Sequence, residues 1–268
     1  MSQREVIYFS IVSHNQTDYI RRYFSGFPKE SAGARIELMI VDNTGCEDLK
    51  RFCESEGLRY YHDGKVRGFG ANHNLAFREL SPAEEDRFVV CNPDIRIEPA
   101  QLEKIVENSG ECDIYTPRVY FDKAQGKLDN PDKQFPGLLN FMVSFTVQKR
   151  LHYGTRWRTT EAEWISGAFM LFRAEVFAEL GGFDENFFMY CEDLDLCYRA
   201  GERGYRITVD QEAYIEHHAQ MESRNILSRN NLWHVRSAFR FALKHRKVHQ
   251  FNIVTARRRS SGGKRSED

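Results

Sequence analysis

The sequence predicts an α/β fold in which a mainly parallel β-sheet is flanked by helices on both faces. Short apolar runs alternate with stretches of helical periodicity through the first third of the chain, which is the rhythm of successive βαβ units. Four of these runs are strand-like, and they span residues 6–14, 35–43, 58–64 and 87–95. The chain has 268 residues and is 41% hydrophobic, so it can bury one large core.

The elements of the first half follow one another regularly. VIYFSIVSH at 6–14 and RIELMIVDN at 35–43 are apolar runs, and helical stretches follow them near 16–26 and 46–56. RFVVCNPDI at 87–95 is the strongest strand, and it ends at a proline that would break strand pairing.

The second half is less regular. SGAFMLFR at 166–173 is strand-like, and EDLDLCYRAGERG at 192–204 is helical and ends on glycine. Two further short strands are predicted in YRITVD and AYIEH. The sequence therefore predicts a sheet-containing domain over residues 1–223, followed by a C-terminal extension.

The C-terminal extension is basic. From Arg224 onward there are 12 lysines and arginines but only 2 acids, which leaves 26 basic and 37 acidic residues in 1–223. An amphipathic helix is predicted over 224–250 and a disordered tail over 251–268. The apolar stripe of this helix is Leu232, Val235, Phe239 and Ala242/Leu243, and its basic face is Arg229, Arg236, Arg240, Lys244 and Lys247. The charge asymmetry indicates an anionic surface as the partner of the extension.

The bulk composition argues against a nucleic-acid-binding, secreted or membrane-spanning protein. A formal net charge of −1 gives no indication of nucleic-acid binding. The six cysteines lack metal-ligand spacing, and the N-terminus lacks the pattern of a signal peptide. The longest uncharged segment, 134–148, falls short of the roughly 20 apolar residues that span a bilayer. We therefore expect a cytoplasmic chain with reduced thiols.

Polar residues follow the predicted strands at the edge where parallel sheets bind their ligands. They are Ser13 and His14, Asp42 and Asn43, and Asn92 and Asp94. Asp94 at a strand end could hold a divalent cation on a diphosphate, although Asn-Pro-Asp is also good turn chemistry. His217 and His218 follow a later strand, and this pair becomes relevant to function only if it faces Asp94.

VRGFGANHN at 66–74 is a glycine-rich turn that opens a helix. Gly68 and Gly70 would let the backbone approach a phosphate at the helix N-terminus, with Arg67 nearby. His73 occupies the position of the third glycine in a dinucleotide fingerprint, so a plain tight turn is an equal alternative.

Three acids follow an aromatic run in FFMYCEDLDLCYR at 187–199: Glu192, Asp193 and Asp195. Acids in a first helical turn complement the helix dipole, each by about 0.3–1 kcal/mol. The buried stripe of such a helix would be Leu194, Cys197 and Tyr198. A carboxylate held near apolar surface instead has a raised proton affinity, which suits a general base. The local residues allow both interpretations.

In their order along the chain, these motifs resemble the inverting family 2 glycosyltransferases of the GT-A fold. The resemblance covers roughly residues 5–245, and its most specific part is WISGAFMLFRAEVFAELGGFDENFFMYCEDLDLCYR. FFMYCEDLDLCYR, GFG and NPDI look most like bacterial O-antigen and cell-wall rhamnosyltransferases. The usual Asp-x-Asp of the family is Asn92-Pro93-Asp94 here, which leaves one carboxylate at that position.

The resemblance implies a role for each motif. Residues 1–95 become a nucleotide-sugar half and 96–223 an acceptor half. Asp193 would be the catalytic base, Glu192 would position the acceptor or the base, and Asp195 would be structural. Asp94 and the late histidine, His217 in preference to His218, would bind Mg²⁺ or Mn²⁺. The residues implied to bind the nucleotide sugar are Ser13, His14, Asn15, Asp42, Arg67, Gly68, Phe69, Gly70 and Asn92.

The implied reaction moves a sugar from a nucleotide donor to a polyprenyl-diphosphate-linked saccharide at the cytoplasmic face of the inner membrane. The resemblance favours dTDP-L-rhamnose as donor, with UDP- or GDP-sugars as alternatives, and implies no nucleic-acid partner. The basic helix would contact anionic lipid, at about 1 kcal/mol per well-placed basic residue, and segment 134–148 would face the acceptor or form a core helix.

Two other classes fit the sequence less well. A sugar-phosphate nucleotidyltransferase should have a longer glycine-rich basic loop than FSIVSHNQTDYI provides near the N-terminus. A glycan-binding relative without activity would not need to retain the four implied site residues Asp42, Asp94, Asp193 and His217.

Overall fold

A computed structural model describes residues 4–124, 126–129, 161–218 and 229–245. In this part of the chain the strands form one mixed sheet, and helices flank it. The strands are β1 Val6–Ser13, β2 Glu30–Ser31, β3 Ala34–Asp42, β4 Arg59–Tyr61, β5 Arg87–Cys91, β6 Ile95–Arg96, β7 Ile114–Asp122, β8 Lys127–Asp129, β9 Glu161–Ala162, β10 Phe169–Arg173 and β11 Ile207–His217. The helices are α1 Thr17–Phe24, α2 Glu47–Glu56, α3 Phe69–Leu80, α4 Pro99–Ser109, α5 Ala174–Glu179, α6 Glu192–Glu202 and α7 Arg229–Lys244.

Apart from the short edge strand β2, which is antiparallel to β3, the sheet is parallel in its first half and mixed in its second. Its order is β2-β3-β1-β5-β10-β7-β11-β6, with β4 beside β3, β8 beside β7 and β9 beside β11. β1 pairs in parallel with β3 and β5, whereas β10 runs antiparallel to both β5 and β7. The predicted α/β class is confirmed. The second half is mixed because β10 and the short strands β6, β8 and β9 run antiparallel to their partners.

Two predicted strands have different bounds in the structure. The run 87–95 ends as a strand at Cys91, before Pro93, and Ile95–Arg96 forms a separate strand that pairs with β11. YRITVD and AYIEH are one strand, Ile207–His217, in which the pairing register shifts between Val209 and Tyr214. A bulge inside one strand therefore looked like a gap between two.

The core lies on both faces of the sheet. Alternate residues of β5 enter the two hydrophobic clusters, Phe88 and Val90 on one face and Val89 and Cys91 on the other. This two-residue period follows from strand geometry. The helices α1 and α2 cover the second of these faces, and α3, α5 and α6 cover the first.

The C-terminal helix α7 packs onto the sheet domain rather than standing apart from it. Ala238 and Phe241 are buried in the same cluster as Leu194 and Tyr198 of α6. The opposite side of α7 exposes an apolar stripe of Val235, Phe239 and Leu243. In the described part of the chain no helix is both long and apolar enough to cross a bilayer. The predictions for segment 134–148, the tail 251–268 and Lys247 fall outside the described residues.

Candidate active site

Part of the predicted site lies at the carboxyl ends of the adjacent parallel strands β3, β1 and β5. We call the four residues there, Ser13, Asp42, Asn43 and Asn92, the nucleotide edge. Ser13 lies opposite Asp42 in the β1–β3 pairing, and the Asn43 N–H donates to the Ser13 carbonyl at 2.9 Å. β5, which precedes Asn92, pairs with β1 on its other side. The predicted His14 and Asn15 follow β1 in an exposed turn in which Asn15 has φ 64°.

Asp42 ends β3 and is only 2% exposed. Its carboxylate accepts hydrogen bonds from the Thr44 N–H and hydroxyl, both at 2.8 Å, and from the Cys46 N–H at 2.7 Å and the Tyr60 hydroxyl at 2.9 Å. Burial alone would raise the pKa of Asp42, but these hydrogen bonds outweigh it and hold the pKa below its ordinary value. Asp42 thus fixes the loop after β3, and its contact with a nucleotide stays a prediction.

The glycine-rich turn is attached to this edge by Asn43. The Asn43 amide donates to the Arg67 carbonyl at 2.9 Å and accepts from the Arg67 N–H at 3.1 Å, while the Arg67 guanidinium pairs with Asp63. Gly68 is the N-cap of α3, as predicted for a turn that opens a helix. A Cβ on Gly68 would overlap the carbonyl of Phe188, so this glycine permits a close approach of backbone from the other half of the chain.

Asp94 and His217 meet just beyond the ends of β5 and β11. Asp94 Oδ1 lies 3.3 Å from His217 Nε2, and both side chains are largely buried. Among the described residues Asp94 Oδ1 accepts no hydrogen bond and His217 Nδ1 makes none, although both atoms are buried. His218 turns away, with its Nε2 3.4 Å from Glu216 and its ring stacked on Tyr23.

This pair fits a divalent cation. A buried carboxylate oxygen without a hydrogen-bond partner costs free energy unless a positive charge lies beside it. Asp94 Oδ1 is such an atom, and it faces the imidazole Nε2 of His217. Carboxylate oxygen and imidazole nitrogen are ligands of Mn²⁺-type ions. The described residues contain no cluster of three or more metal-binding side chains, so Asp94 and His217 are the two side chains at this end of the sheet that could hold such an ion.

Asp193 is oriented by the turn that precedes β10. The Gly167 N–H donates to Asp193 Oδ2 at 3.0 Å, and the Leu194 N–H donates to Oδ1 at 2.8 Å. The next residue, Ala168, accepts from the Asn92 N–H at 2.9 Å. These contacts place Asp193 at the same end of the sheet as Asn92, beside the strand end that leads to Asp94.

Glu192 lies beside Asp193 and is only 6% exposed. The pKa of Glu192 is raised to about 8, mainly by burial and secondly by the charge of Asp193. Its Oε2 is buried without a hydrogen-bond partner among the described residues. Glu192 therefore holds a proton at neutral pH and has an unused polar atom.

Asp195 faces α7. It is fully buried and contacts Arg199 Nε at 2.8 Å, His245 Nε2 at 2.7 Å and Lys244 Nζ at 2.7 Å. Burial alone would raise the pKa of Asp195, but hydrogen bonds from His245, Lys244 and Arg199 and the charge of Arg199 lower it to about 2. Its charge is thus balanced inside the protein. The predicted buried stripe of this helix is confirmed at Leu194, Cys197 and Tyr198.

Sequence reasoning missed the residues that hold the site from a distance. Asn43 was recognised only as a strand-end residue, and Gly167 only as part of a strand motif. His234 on α7 lies against the tilted ring of Tyr190, at 4.6 Å between ring centroids. Burial lowers the pKa of His234 overall, although the nearby charge of Asp193 acts to raise it. No local signal marks these contacts, because the partners are 24 to 44 residues apart in the sequence.

A separate cavity of about 520 Å³ lies at the other end of the sheet. It is bounded by the end of α4 and by residues that precede β7 and β11, including Asp113 and Arg206. It contains none of the predicted site residues. Since open α/β sheets bind ligands at the carboxyl ends of their strands, we place the active site at the Asp94–Asp193 end.

A sheet of this kind, with the Asp94–His217 pair and a separate oriented carboxylate at one end, is the framework of a GT-A glycosyltransferase. Family comparisons agree. The model described as "Glycosyl transferase family 2" matches residues 9–181, and the one described as "Glycosyltransferase like family 2" matches residues 144–243. The chain belongs to glycosyltransferase family 2 and is a transferase, as the sequence predicted.

Characterised relatives extend this result. Rhamnosyltransferase WbbL of Escherichia coli (strain K12) is 30% identical over 250 residues, which is 90% of this chain and 94% of the relative. The N-acetylglucosaminyl-diphospho-decaprenol L-rhamnosyltransferase of Mycobacterium tuberculosis is 26% identical over 208 residues, covering 68% of this chain and 66% of that one.

The fold is also found among solved structures. GalNAc-T7, crystallised with UDP, GalNAc and Mn²⁺, has a TM-score of 0.65 at 11% identity. The alignment covers 90% of this chain and 48% of that chain. At this identity the match confirms the predicted GT-A fold and says nothing about substrate.

Proposed function

We propose that this enzyme transfers L-rhamnose from dTDP-L-rhamnose, with inversion, to a hydroxyl of a polyprenyl-diphosphate-linked saccharide during synthesis of a cell-surface polysaccharide. The names of the two rhamnosyltransferase relatives support the sugar, and the second supports an acceptor on a lipid diphosphate. The main structural support for this reaction is the position of Asp193. The Gly167 N–H orients its carboxylate at the end of the sheet where Asp94 and His217 also lie.

Asp94 Oδ1 and His217 Nε2 are the atoms that would hold Mg²⁺ or Mn²⁺. When bound, the cation would neutralise the charge that develops on the departing nucleoside diphosphate. The nucleotide edge would position the donor beside this pair, with Ser13, Asp42 and Asn92 at adjacent strand ends. The exposed His14 and Asn15 and the turn Arg67–Gly70 would complete the donor site.

The remaining chemistry belongs to the carboxylates. Asp193 takes the proton of the acceptor hydroxyl, whose oxygen attacks the anomeric carbon of the donor on the face opposite the diphosphate. The bond to the diphosphate breaks as the new glycosidic bond forms, which inverts the configuration. The N–H groups of Gly167 and Leu194 keep the Asp193 carboxylate in one orientation. Protonated Glu192 donates a hydrogen bond to the acceptor sugar.

Helix α7 would provide the contact with the membrane that carries such an acceptor. Its side chains Val235, Phe239 and Leu243 are 54%, 58% and 47% exposed and recur every fourth residue, so they form one apolar stripe. Arg236 and Arg240 lie beside this stripe on the helix. An apolar stripe flanked by basic residues is typical of helices that lie on anionic lipid, and it supports a peripheral position at the cytoplasmic face of the inner membrane.

Vesicle sedimentation of the full chain tests this contact. We expect Phe239→Ser combined with Val235→Ser to reduce binding to phosphatidylglycerol vesicles at least tenfold, without changing the melting temperature. Val66→Ser is the matched control, because Val66 is 61% exposed but lies on the glycine-rich turn. Equal binding of the double variant and the wild type would contradict the membrane contact.

The donor is tested by thermal shift followed by transfer. The wild-type chain is heated with Mn²⁺ and dTDP, UDP or GDP, and then with the corresponding nucleotide sugars. We expect selective stabilisation by dTDP species, followed by transfer of rhamnose to a prenyl-diphosphate-linked acetylglucosamine that is detected by mass spectrometry. Selective stabilisation by UDP or GDP would overturn the dTDP donor and leave the transferase reaction in place.

A further inference from the structure

The segment that leads into the two catalytic carboxylates is strained. We call residues 187–193 the carboxylate turn. Within it, Tyr190 has φ 70° and Cys191 has φ 65°, and both are in the left-handed region. For residues with a side chain such conformations are unfavourable, and they persist only where surrounding contacts hold them. Glu192 then begins α6 directly after this pair.

One side of the carboxylate turn is held by the start of α3. The Phe69 N–H donates to the Phe188 carbonyl at 2.9 Å, and Gly68 leaves room for this approach because it has no Cβ. Gly70 similarly lies against the side chain of Phe183. Gly68 of the predicted phosphate turn therefore also allows the carboxylate turn to lie close, and Gly70 allows the same for Phe183 just before it.

The other side of the turn is held by α7. The Ser237 hydroxyl donates to the Met189 carbonyl at 2.8 Å, so two consecutive carbonyls are bound by two different helices. Trp233 stacks on Phe188 at 4.5 Å between ring centroids, and His234 contacts the Tyr190 ring. Ser237 is only 4% exposed, so its hydrogen bond does not compete with water.

The end of α7 is fixed by charge. Lys244 Nζ lies 2.7 Å from both Asp184 Oδ2 and Asp195 Oδ1, and His245 Nε2 lies 2.7 Å from Asp195 Oδ1. Asp184 precedes the carboxylate turn and Asp195 follows it. These ion pairs therefore attach α7 on both sides of the segment that it covers.

We propose that α7 is a positioning element of the active site, which holds the strained carboxylate turn through Ser237 and His245 and so sets the positions of Glu192 and Asp193. This inference rests on the proposed catalytic function of those two carboxylates. It assigns two functions to one helix, because the apolar stripe of α7 faces away from the turn that Ser237 contacts.

The test compares turnover per donor site in Ser237→Ala, His245→Ala and His245→Gln. Calorimetry with Mn²⁺ and dTDP, or the diphosphate selected by the thermal-shift panel, counts the correctly folded donor sites in each sample. Displacing a reacting group by about 1 Å can cost up to about a hundredfold in rate. We expect the two alanine variants to lose about tenfold to a hundredfold in kcat per donor site, with unchanged diphosphate affinity. Glutamine can still donate to Asp195, so His245→Gln should recover most of the rate.

Ser109→Ala is the matched control. Ser109 is also buried and also donates to a backbone carbonyl, that of Val106, but it lies in α4. The proposal is overturned if Ser237→Ala and His245→Ala keep wild-type kcat per donor site. It is equally overturned if their donor-site counts fall in proportion to their rates, since α7 would then only stabilise the fold. Asp193→Asn is assayed in parallel, because its full turnover would refute the proposed catalytic function itself, whatever Ser237→Ala does.

Discussion

The nucleotide edge and the carboxylate turn are held in place by different means. At the nucleotide edge, Asp42 is fixed by residues two to eighteen positions away, and Asn43 by the backbone of Arg67. The carboxylate turn accepts hydrogen bonds from Phe69 of the distant α3 and from Ser237 of α7. The side chains of Asp42 and Asn43 are thus held by partners 2 to 24 residues away, and the carboxylate turn by partners 48 and 119 residues away, in elements far apart in the chain.

This difference has a consequence for variants. A substitution at the nucleotide edge should act on donor and metal binding and leave the carboxylates where they are. A substitution at the carboxylate turn, or in the helices that hold it, should act on turnover and leave donor binding intact.

The largest effect is expected for Asp193→Asn. Asparagine keeps the shape of the side chain but cannot take the acceptor proton, and loss of a general base typically costs about 10² to 10⁴ in rate. Donor affinity should stay within about twofold, because Asp193 is bound by Gly167 and Leu194 and not by the nucleotide edge. Steady-state transfer and calorimetric binding measure the two quantities, and near wild-type turnover would show that Asp193 is not the base.

The next largest effect is expected for the metal pair. EDTA should abolish activity and added Mg²⁺ or Mn²⁺ should restore it. Asp94→Asn or His217→Ala removes a proposed direct ligand, so each should weaken metal binding by more than the roughly 10- to 100-fold that is typical for loss of an outer-shell partner. His218→Ala is the control, because its side chain contacts Glu216 and Tyr23 and not the Asp94 carboxylate. Full activity in EDTA, or equal effects of His217→Ala and His218→Ala, would remove this pair from the metal site.

The contrast between the regions also explains what the sequence could predict. Asp42 ends an apolar strand, and Asn92 and Asp94 follow another. The apolar runs, the βαβ rhythm and a proline were therefore enough to predict that these residues lie at one edge. The pairing of His217 with Asp94 was expected only by resemblance, because it depends on where β11 lies in the sheet. The hydrogen bond from Ser237 to the Met189 carbonyl could not be predicted from the sequence. Helical periodicity shows which residues share a face of α7, but it does not show which element that face contacts.

Asp195→Asn should destabilise the fold by about 2 kcal/mol near neutral pH. The folded pKa of Asp195 is about 2 against an ordinary 3.8, and a difference of almost two units corresponds to about that free energy. Because the folded pKa is the lower one, this stabilisation is complete above about pH 5 and is lost as pH falls through 3.8 toward 2.

Urea denaturation between pH 7 and 3 measures this difference. The free-energy gap between wild type and Asp195→Asn should be constant at high pH and shrink below about pH 4. Asp48→Asn is the control, since Asp48 forms an exposed ion pair with Arg51 that should contribute less than about 1 kcal/mol. A gap that does not change with pH would mean that the charge of Asp195 contributes nothing to stability.

The smallest effect is expected in the pH profile of Glu192→Gln, which best separates the functions proposed for Glu192 and Asp193. Glu192 has a pKa of about 8, so wild-type turnover should decline as pH rises through 8 and Glu192 loses the proton that it donates. Glutamine still donates a hydrogen bond and does not titrate, so the variant should keep turnover within a few-fold at pH 7 and lack the alkaline decline. The opposite result, a wild-type rate that rises through pH 8 and is abolished in Glu192→Gln, would make Glu192 the base and Asp193 its neighbour. Because the charge of Asp193 contributes to the raised pKa, the residual rate of Asp193→Asn should decline at a lower pH than that of the wild type.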